Sequence, residues 1–228
     1  MRRQLDEGVH LRSLFERKFM AEIVLVRHGE TEWNVGEIYR GRADVALDRV
    51  GIKQAELLGK YLSGLKLDAI YSSPLKRALD TANIVAQYHN VGVQVNNGLI
   101  DFDYGEWQGL PDKEVEKLYP ALHSEWYANP HLVKMPGGEG LDDVRKRALV
   151  VVNEVVSKYK GSVALISHRV VSKVLICSLL GLDNSRFWHI RQDVGGITTF
   201  DYMDSCFILT KHNDTSYLKG MRKALSDF

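Results

Sequence analysis

The stretch Ile23-Val24-Leu25-Val26-Arg27-His28-Gly29-Glu30-Thr31 decides how this chain is read. Four successive apolar residues, three of them β-branched, are what a parallel strand buried on both faces requires. Arg27, His28 and Gly29 follow without a gap. In open α/β sheets ligands gather beyond the carboxyl ends of the strands, so such an ending is where chemistry is expected.

Outward from this stretch, strand and helix patterns alternate. A helical pattern runs near residues 50–65, with Gln54, Ala55, Leu57 and Leu58 on its inner side. Residues 68–71 form a second short apolar run, and Pro74 then opens a helix through Ala78, Ala82, Val85 and Ala86. Residues 91–95 read as a third strand. Val144, Ala148, Val151, Val152, Val155 and Val156 follow a helical period within residues 141–159. Residues 163–166 are another buried strand, with an apolar helix over 170–180 that stops at Gly181. Residues 198–202 and 207–210 are expected to form an antiparallel edge. The alternation predicts an α/β fold, a mainly parallel central sheet with helices on both faces. Residues 1–19 read as an N-terminal extension and residues 20–228 as one domain, with a lid insertion at about 101–143 after the third strand.

Three of the strand ends carry a similar cargo. Arg27-His28 follows the first strand, Ser72-Ser73-Pro74-Leu75-Lys76-Arg77 the second, and Ser167-His168-Arg169 the strand over 163–166. If the strands are neighbours, two imidazoles and at least two guanidiniums share one crevice. Guanidiniums grip phosphoryl oxygens through bidentate, charge-assisted bonds. A neutral imidazole is a competent nucleophile, and nearby arginines favour its neutral form. Phosphoryl transfer asks chiefly for positioning and charge stabilisation, which this set supplies without a metal. Gly29 is expected to let phosphate approach the backbone, and the helix after it to point its N–H groups at the anion.

Composition narrows the alternatives. Thirty Lys and Arg against 29 Asp and Glu in 228 residues leave a formal net charge of +1, with no overall attraction for nucleic acid or an acidic membrane. Two cysteines, Cys177 and Cys206, cannot build a disulfide framework or a Cys-rich zinc site. No apolar run approaches the roughly 18 residues of a membrane span, and no signal-peptide core follows the first residues, so a cytoplasmic location is expected. The chain lacks a P-loop, a G-x-G-x-x-G fingerprint, a G-x-S-x-G elbow and an H-E-x-x-H helix. Pro136-Gly137-Gly138-Glu139-Gly140 reads as a turn before the helix at Leu141.

Four blocks in order resemble the histidine phosphatase superfamily, the phosphoglycerate-mutase-like group. They are Leu25–Thr31 with Trp33-Asn34, Tyr71–Ala78 with Thr81-Ala82, Asp103-Tyr104-Gly105-Glu106-Trp107-Gln108-Gly109, and Ser167-His168. The stretch from Asn129 to Glu139 looks most like the cofactor-independent phosphatases, including the phosphoserine phosphatase type. The resemblance implies that His28 is the nucleophile that becomes phosphohistidine. It implies that His168 stabilises the transferred group, and that Arg27, Asn34, Arg40, Gly41 and Arg77 bind phosphate. No metal and no cofactor are implied.

Two departures from the family pattern stand out. The usual acid/base glutamate is replaced by Asp101, one methylene shorter. Arg169 stands where glycine often follows the second histidine, either to bind a substrate carboxylate or to point to solvent. The lid segment holds ten acidic residues (Asp101, Asp103, Glu106, Asp112, Glu114, Glu116, Glu125, Glu139, Asp142, Asp143) against Lys113, Lys117 and Lys134. That balance is a poor trap for a second phosphate. The expected activity is therefore hydrolysis of a small phosphomonoester, with phosphoglycerate mutase activity, or phosphate binding with impaired catalysis, as alternatives. The expected partner is a small phosphorylated substrate, with no nucleic acid and no membrane. Pairing with a second copy through an edge strand or the extension is left open.

Overall fold

The computed structural model describes residues 19–221, so all but the last residue of the expected extension lies outside the described residues. Strand β1 (Phe19–Arg27) begins earlier than the apolar run because its first residues pair antiparallel with a later strand, Phe19 opposite Met203. A single helical turn, α1 (Glu32–Val35), and a loop lead to α2 (Arg49–Leu62), capped by Asp48 accepting from the Gly51 N–H. Then come β2 (Leu67–Ser72), α3 (Lys76–Ala86) and β3 (Val93–Val95). The segment that follows holds α4 (Asp112–Leu118) and α5 (Pro120–Ala128), and the chain re-enters the layers through α6 (Leu141–Lys158). Strand β4 (Ser162–Ser167), α7 (Arg169–Leu179), β5 (Ile197–Met203) and β6 (Cys206–Asp214) complete the order.

The six strands form one sheet in the order β3-β2-β4-β1-β5-β6. The first four are mutually parallel, while β5 and β6 make the antiparallel edge. Side chains alternate across it. Ile23 and Leu25 face one core with α6 and α7, whereas Val24 and Val26 face another with α2 and α3. Both faces are thus covered, as the continuous apolar runs require. The residues 101–143 carry part of the first core, since Phe102, Trp107, Trp126 and Met135 are buried within it. Phe102 stacks on Trp126 at 5.7 Å between ring centroids. No helix among the described residues is long and apolar enough to cross a membrane.

The register aligns the strand ends. Arg27 lies opposite Ser167 across β1 and β4, and Ser72 opposite Ile166 across β2 and β4. Beyond them, the His28 N–H donates to Ser167 O (3.0 Å) and the Ser73 N–H to Ile166 O (3.0 Å), so the ladder continues one residue into the site.

Gly29 also serves packing. A Cβ there would lie 2.6 Å from Gly51 O, and a Cβ on Gly51 would lie 2.1 Å from Glu30 O. The two glycines let the start of α2 press against the loop after β1. Helix propensity alone favours Gly51→Ala by about 1 kcal/mol. Steric overlap with a backbone held at the sheet edge outweighs it, so urea unfolding should show Gly51→Ala less stable by about 1–3 kcal/mol. A variant as stable as the parent would contradict this close packing.

Candidate active site

Arg27, His28, Arg77 and His168 are each at most 1% exposed and lie around one crevice at the carboxyl ends of β1, β2 and β4. The His28 and His168 rings meet edge to face with centroids 5.1 Å apart. Each side chain is held. Arg27 donates from one terminal nitrogen to Gln192 O (2.8 Å). Arg77, in the first turn of α3, donates to Ala43 O (2.7 Å), Gly41 O (2.7 Å) and Asp101 Oδ2 (2.9 Å). Arg40 is buried and lines the crevice.

The imidazole tautomers follow from their partners. Nδ1 of His28 lies 2.6 Å from Gly29 O. A carbonyl only accepts, so the proton sits on Nδ1 and the lone pair on Nε2. Nε2 of His168 meets Ser73 Oγ at 2.7 Å, while its Nδ1 lies 3.5 Å from Asp101 Oδ2. The Ser73 hydroxyl, which accepts from the Leu75 N–H (3.3 Å), donates to Nε2 and leaves the His168 proton on Nδ1, facing the carboxylate.

Burial holds both imidazoles well below the usual histidine range, and Arg77, Arg27 and Arg40 push each further down. Both are therefore neutral at pH 7. Nδ1 of His168 and Nε of Arg77 are buried and make no hydrogen bond. Leaving such donors unbonded costs about 1–3 kcal/mol each, a sacrifice that makes sense where an anion is to be received.

The crevice opens into a cleft whose lining includes His28, Arg40, Gly41, Asp101, Tyr104 and Arg169. Asp101, 7% exposed, is aimed inward by the Phe102 N–H, which donates to its Oδ1 (2.8 Å). Gly41 adopts φ +50° beneath Phe102 O and Gln108 Oε1, a conformation suited to glycine. Arg169 lines the cleft, its guanidinium carbon 5.9 Å from the Trp188 ring, so the solvent-pointing alternative does not hold. Tyr39, Tyr127 and Asp112 form the opposite wall, with Asp112 Oδ1 accepting from both tyrosine hydroxyls at 2.7 and 3.0 Å.

Further residues take their places around the crevice. Asn34 Oδ1 accepts from the Thr31 N–H and hydroxyl, both at 2.9 Å, and so braces the loop after β1. The helix after that loop is a single turn, and the helices that begin at the crevice are α3 and α7. Tyr127 lines the cleft, whereas its neighbours Trp126 and Met135 are core residues and His131 is exposed. Sequence reasoning gave no role to Ser73 or Gln192. Ser73 sits at a strand end beside Pro74, a signal of place, whereas the Gln192 contact bridges 165 residues through a backbone carbonyl and leaves no trace in side-chain chemistry.

Imidazoles, guanidiniums and a carboxylate meeting at the ends of parallel strands define an α/β enzyme that handles phosphate esters. The profile of the histidine phosphatase superfamily, branch 1, matches residues 23–215, and the chain belongs to that superfamily. It is 37% identical over 200 residues to phosphoserine phosphatase 1 of Hydrogenobacter thermophilus, covering 87% of this chain and 95% of that one. The adenosylcobalamin/α-ribazole phosphatase of Escherichia coli is 28% identical over 178 residues, 78% of this chain and 88% of that one. Among solved structures, Bacillus stearothermophilus YhfR superposes with a TM-score of 0.83 at 30% identity, over 87% of this chain and all of that one. The chain is a phosphoric monoester hydrolase.

The buried histidines make stability depend on pH with a definite sign. Unfolded, both bind protons below about pH 6.5, while folded they resist protonation, so the unfolded state holds more protons and folding weakens as pH falls. The melting temperature should drop from pH 7 to pH 5, and drop less in His168→Gln. An identical pH dependence in the two proteins would contradict the buried neutral imidazole.

Proposed function

We propose that the chain hydrolyses a small phosphomonoester in two steps through a phosphohistidine on His28, without a metal. The observation that carries this reading is the 2.6 Å contact between His28 Nδ1 and Gly29 O, which commits the Nε2 lone pair to attack. In the first step Nε2 bonds to phosphorus as the ester P–O bond breaks, and Asp101 passes to the departing alkoxide oxygen a proton it has taken from the monoanionic ester. Arg27, Arg40, Arg77 and His168 neutralise the oxygens of the transferred group. In the second step water attacks phosphorus and the N–P bond breaks. Asp101 takes the water proton back, and inorganic phosphate leaves.

Asp101 also argues against a protein that only binds phosphate. A carboxylate beside an anion weakens binding, so its place between Arg77 and His168 makes sense as chemistry. Mutase action is disfavoured by the cleft wall, where Glu37 and Asp112 stand against Arg169 beyond the phosphate seat. The same wall suits a small alcohol with a polar or carboxylate group facing Arg169. Phosphoserine, the substrate named for the 37% identical relative, is the first ester to assay.

His28→Ala should lower kcat by more than about 10³-fold, as loss of a nucleophile does. EDTA should leave the parent enzyme active. Strong inhibition by the chelator, or near-parental turnover by His28→Ala, would overturn the mechanism.

A further inference from the structure

Asp101 is a short acid in a seat that the family fills with a longer one, so its backbone must be placed with little tolerance. The 3₁₀ turn Asn97–Leu99 before it is anchored to the sheet by the Ser167 hydroxyl, which donates to Leu99 O (2.8 Å). A second side chain, from α6, carries the hold on to the acid itself. Arg147 donates to three successive parts of the acid-bearing loop, through Gly98 O (2.9 Å), Ile100 O (2.5 Å) and Asp101 O (3.1 Å). Its other bonds grip Glu139 bidentately, Nε to Oε1 and Nη2 to Oε2, each at 3.0 Å. A guanidinium has five N–H donors in a rigid fork, and these five bonds match that number.

Glu139 extends the arrangement. Its Oε2 accepts from the Asp103 N–H (3.0 Å), just beyond the acid, and its Oε1 pairs with Arg42 (3.0 Å). Arg42 in turn reaches Asp103 Oδ2 (3.1 Å) and lies next to Gly41, whose carbonyl accepts from Arg77. The pairing therefore ties together the loop that presents Asp101 and the loop that presents Arg40 and Gly41. Arg147 and Glu139 side chains are 18% and 15% exposed, enough shielding for their attraction to survive salt.

We propose that Arg147, clamped by Glu139, is a positioning residue that sets where the Asp101 carboxyl meets the leaving oxygen. Arg147 touches neither substrate nor the reacting atoms. Its effect passes through the backbone of residues 98–101, and it falls on leaving-group protonation rather than on phosphate capture. The proposal rests on Asp101 being the proton donor.

The leaving group separates this role from a merely structural one. An aryl phosphate such as p-nitrophenyl phosphate releases a weakly basic oxygen that scarcely needs the acid, while an alkyl phosphate such as phosphoserine depends on it. Arg147→Lys keeps the charge but cannot fork onto loop and glutamate together. It should reduce the ratio of alkyl to aryl kcat at least tenfold, with the aryl KM little changed. Glu139→Gln should move the same ratio in the same direction by a smaller factor. Asp101→Asn should collapse the ratio further, and Arg147→Lys added to it should lower the ratio no more, as expected of residues acting as one unit. Equal losses on both esters, or an unchanged ratio in both single variants, would overturn the clamp. If Asp101→Asn leaves the ratio intact, the assignment of the acid itself falls and the clamp with it. A collapsed ratio in Asp101→Asn beside a parental ratio in Arg147→Lys and Glu139→Gln defeats the clamp alone.

Discussion

The structure depends on keeping uncharged imidazoles buried among guanidiniums. Burial opposes protonation of His28 and His168, and the neighbouring arginines oppose it again. The two effects act in one direction, so cationic arginines and neutral imidazoles share the site at neutral pH. An exposed histidine, by contrast, gives up its lone pair to a proton as pH falls through about 6.5. Parallel pairing of β1, β4 and β2 in a sheet covered on both faces supplies the burial.

Holding three arginines near one another requires acceptors, and backbone carbonyls provide many of them. Gln192 O takes Arg27, while Gly41 O and Ala43 O take Arg77. Carbonyls orient a guanidinium without cancelling its charge, so it remains strongly attractive to a phosphoryl group. Asp101 is the carboxylate that Arg77 meets. Around the mouth the acidic excess of residues 101–143 is largely spoken for. Asp103 and Glu139 pair with Arg42, Asp112 takes tyrosine hydroxyls and His123, and Glu106 takes Tyr119. Their formal count therefore says less about the cleft's field than the side chains that actually line it.

Much of this was legible in the chain itself because strand burial and strand-end chemistry are local. The runs at residues 23–26, 68–71 and 163–166 announced a sheet, and the residues just after each were the ones brought together. Less legible was whatever depends on contacts across layers. Gly29 and Gly51 explain each other only when α2 is docked on the loop after β1. Trp126 and Met135 are buried in the core shared with α7 and the sheet, a place that no local pattern marks. Arg147 lay within a plain amphipathic helix, and the carbonyls it grips are invisible in sequence.

Where phosphate goes during turnover decides whether His28 is the nucleophile. Quenching the enzyme in mid-turnover with a labelled ester, then mapping the labelled peptide, tests it most directly. Acid-labile, base-stable label on His28 Nε2 is the predicted result. Label on any other side chain, or full turnover with no covalent label at all stages sampled, would contradict it.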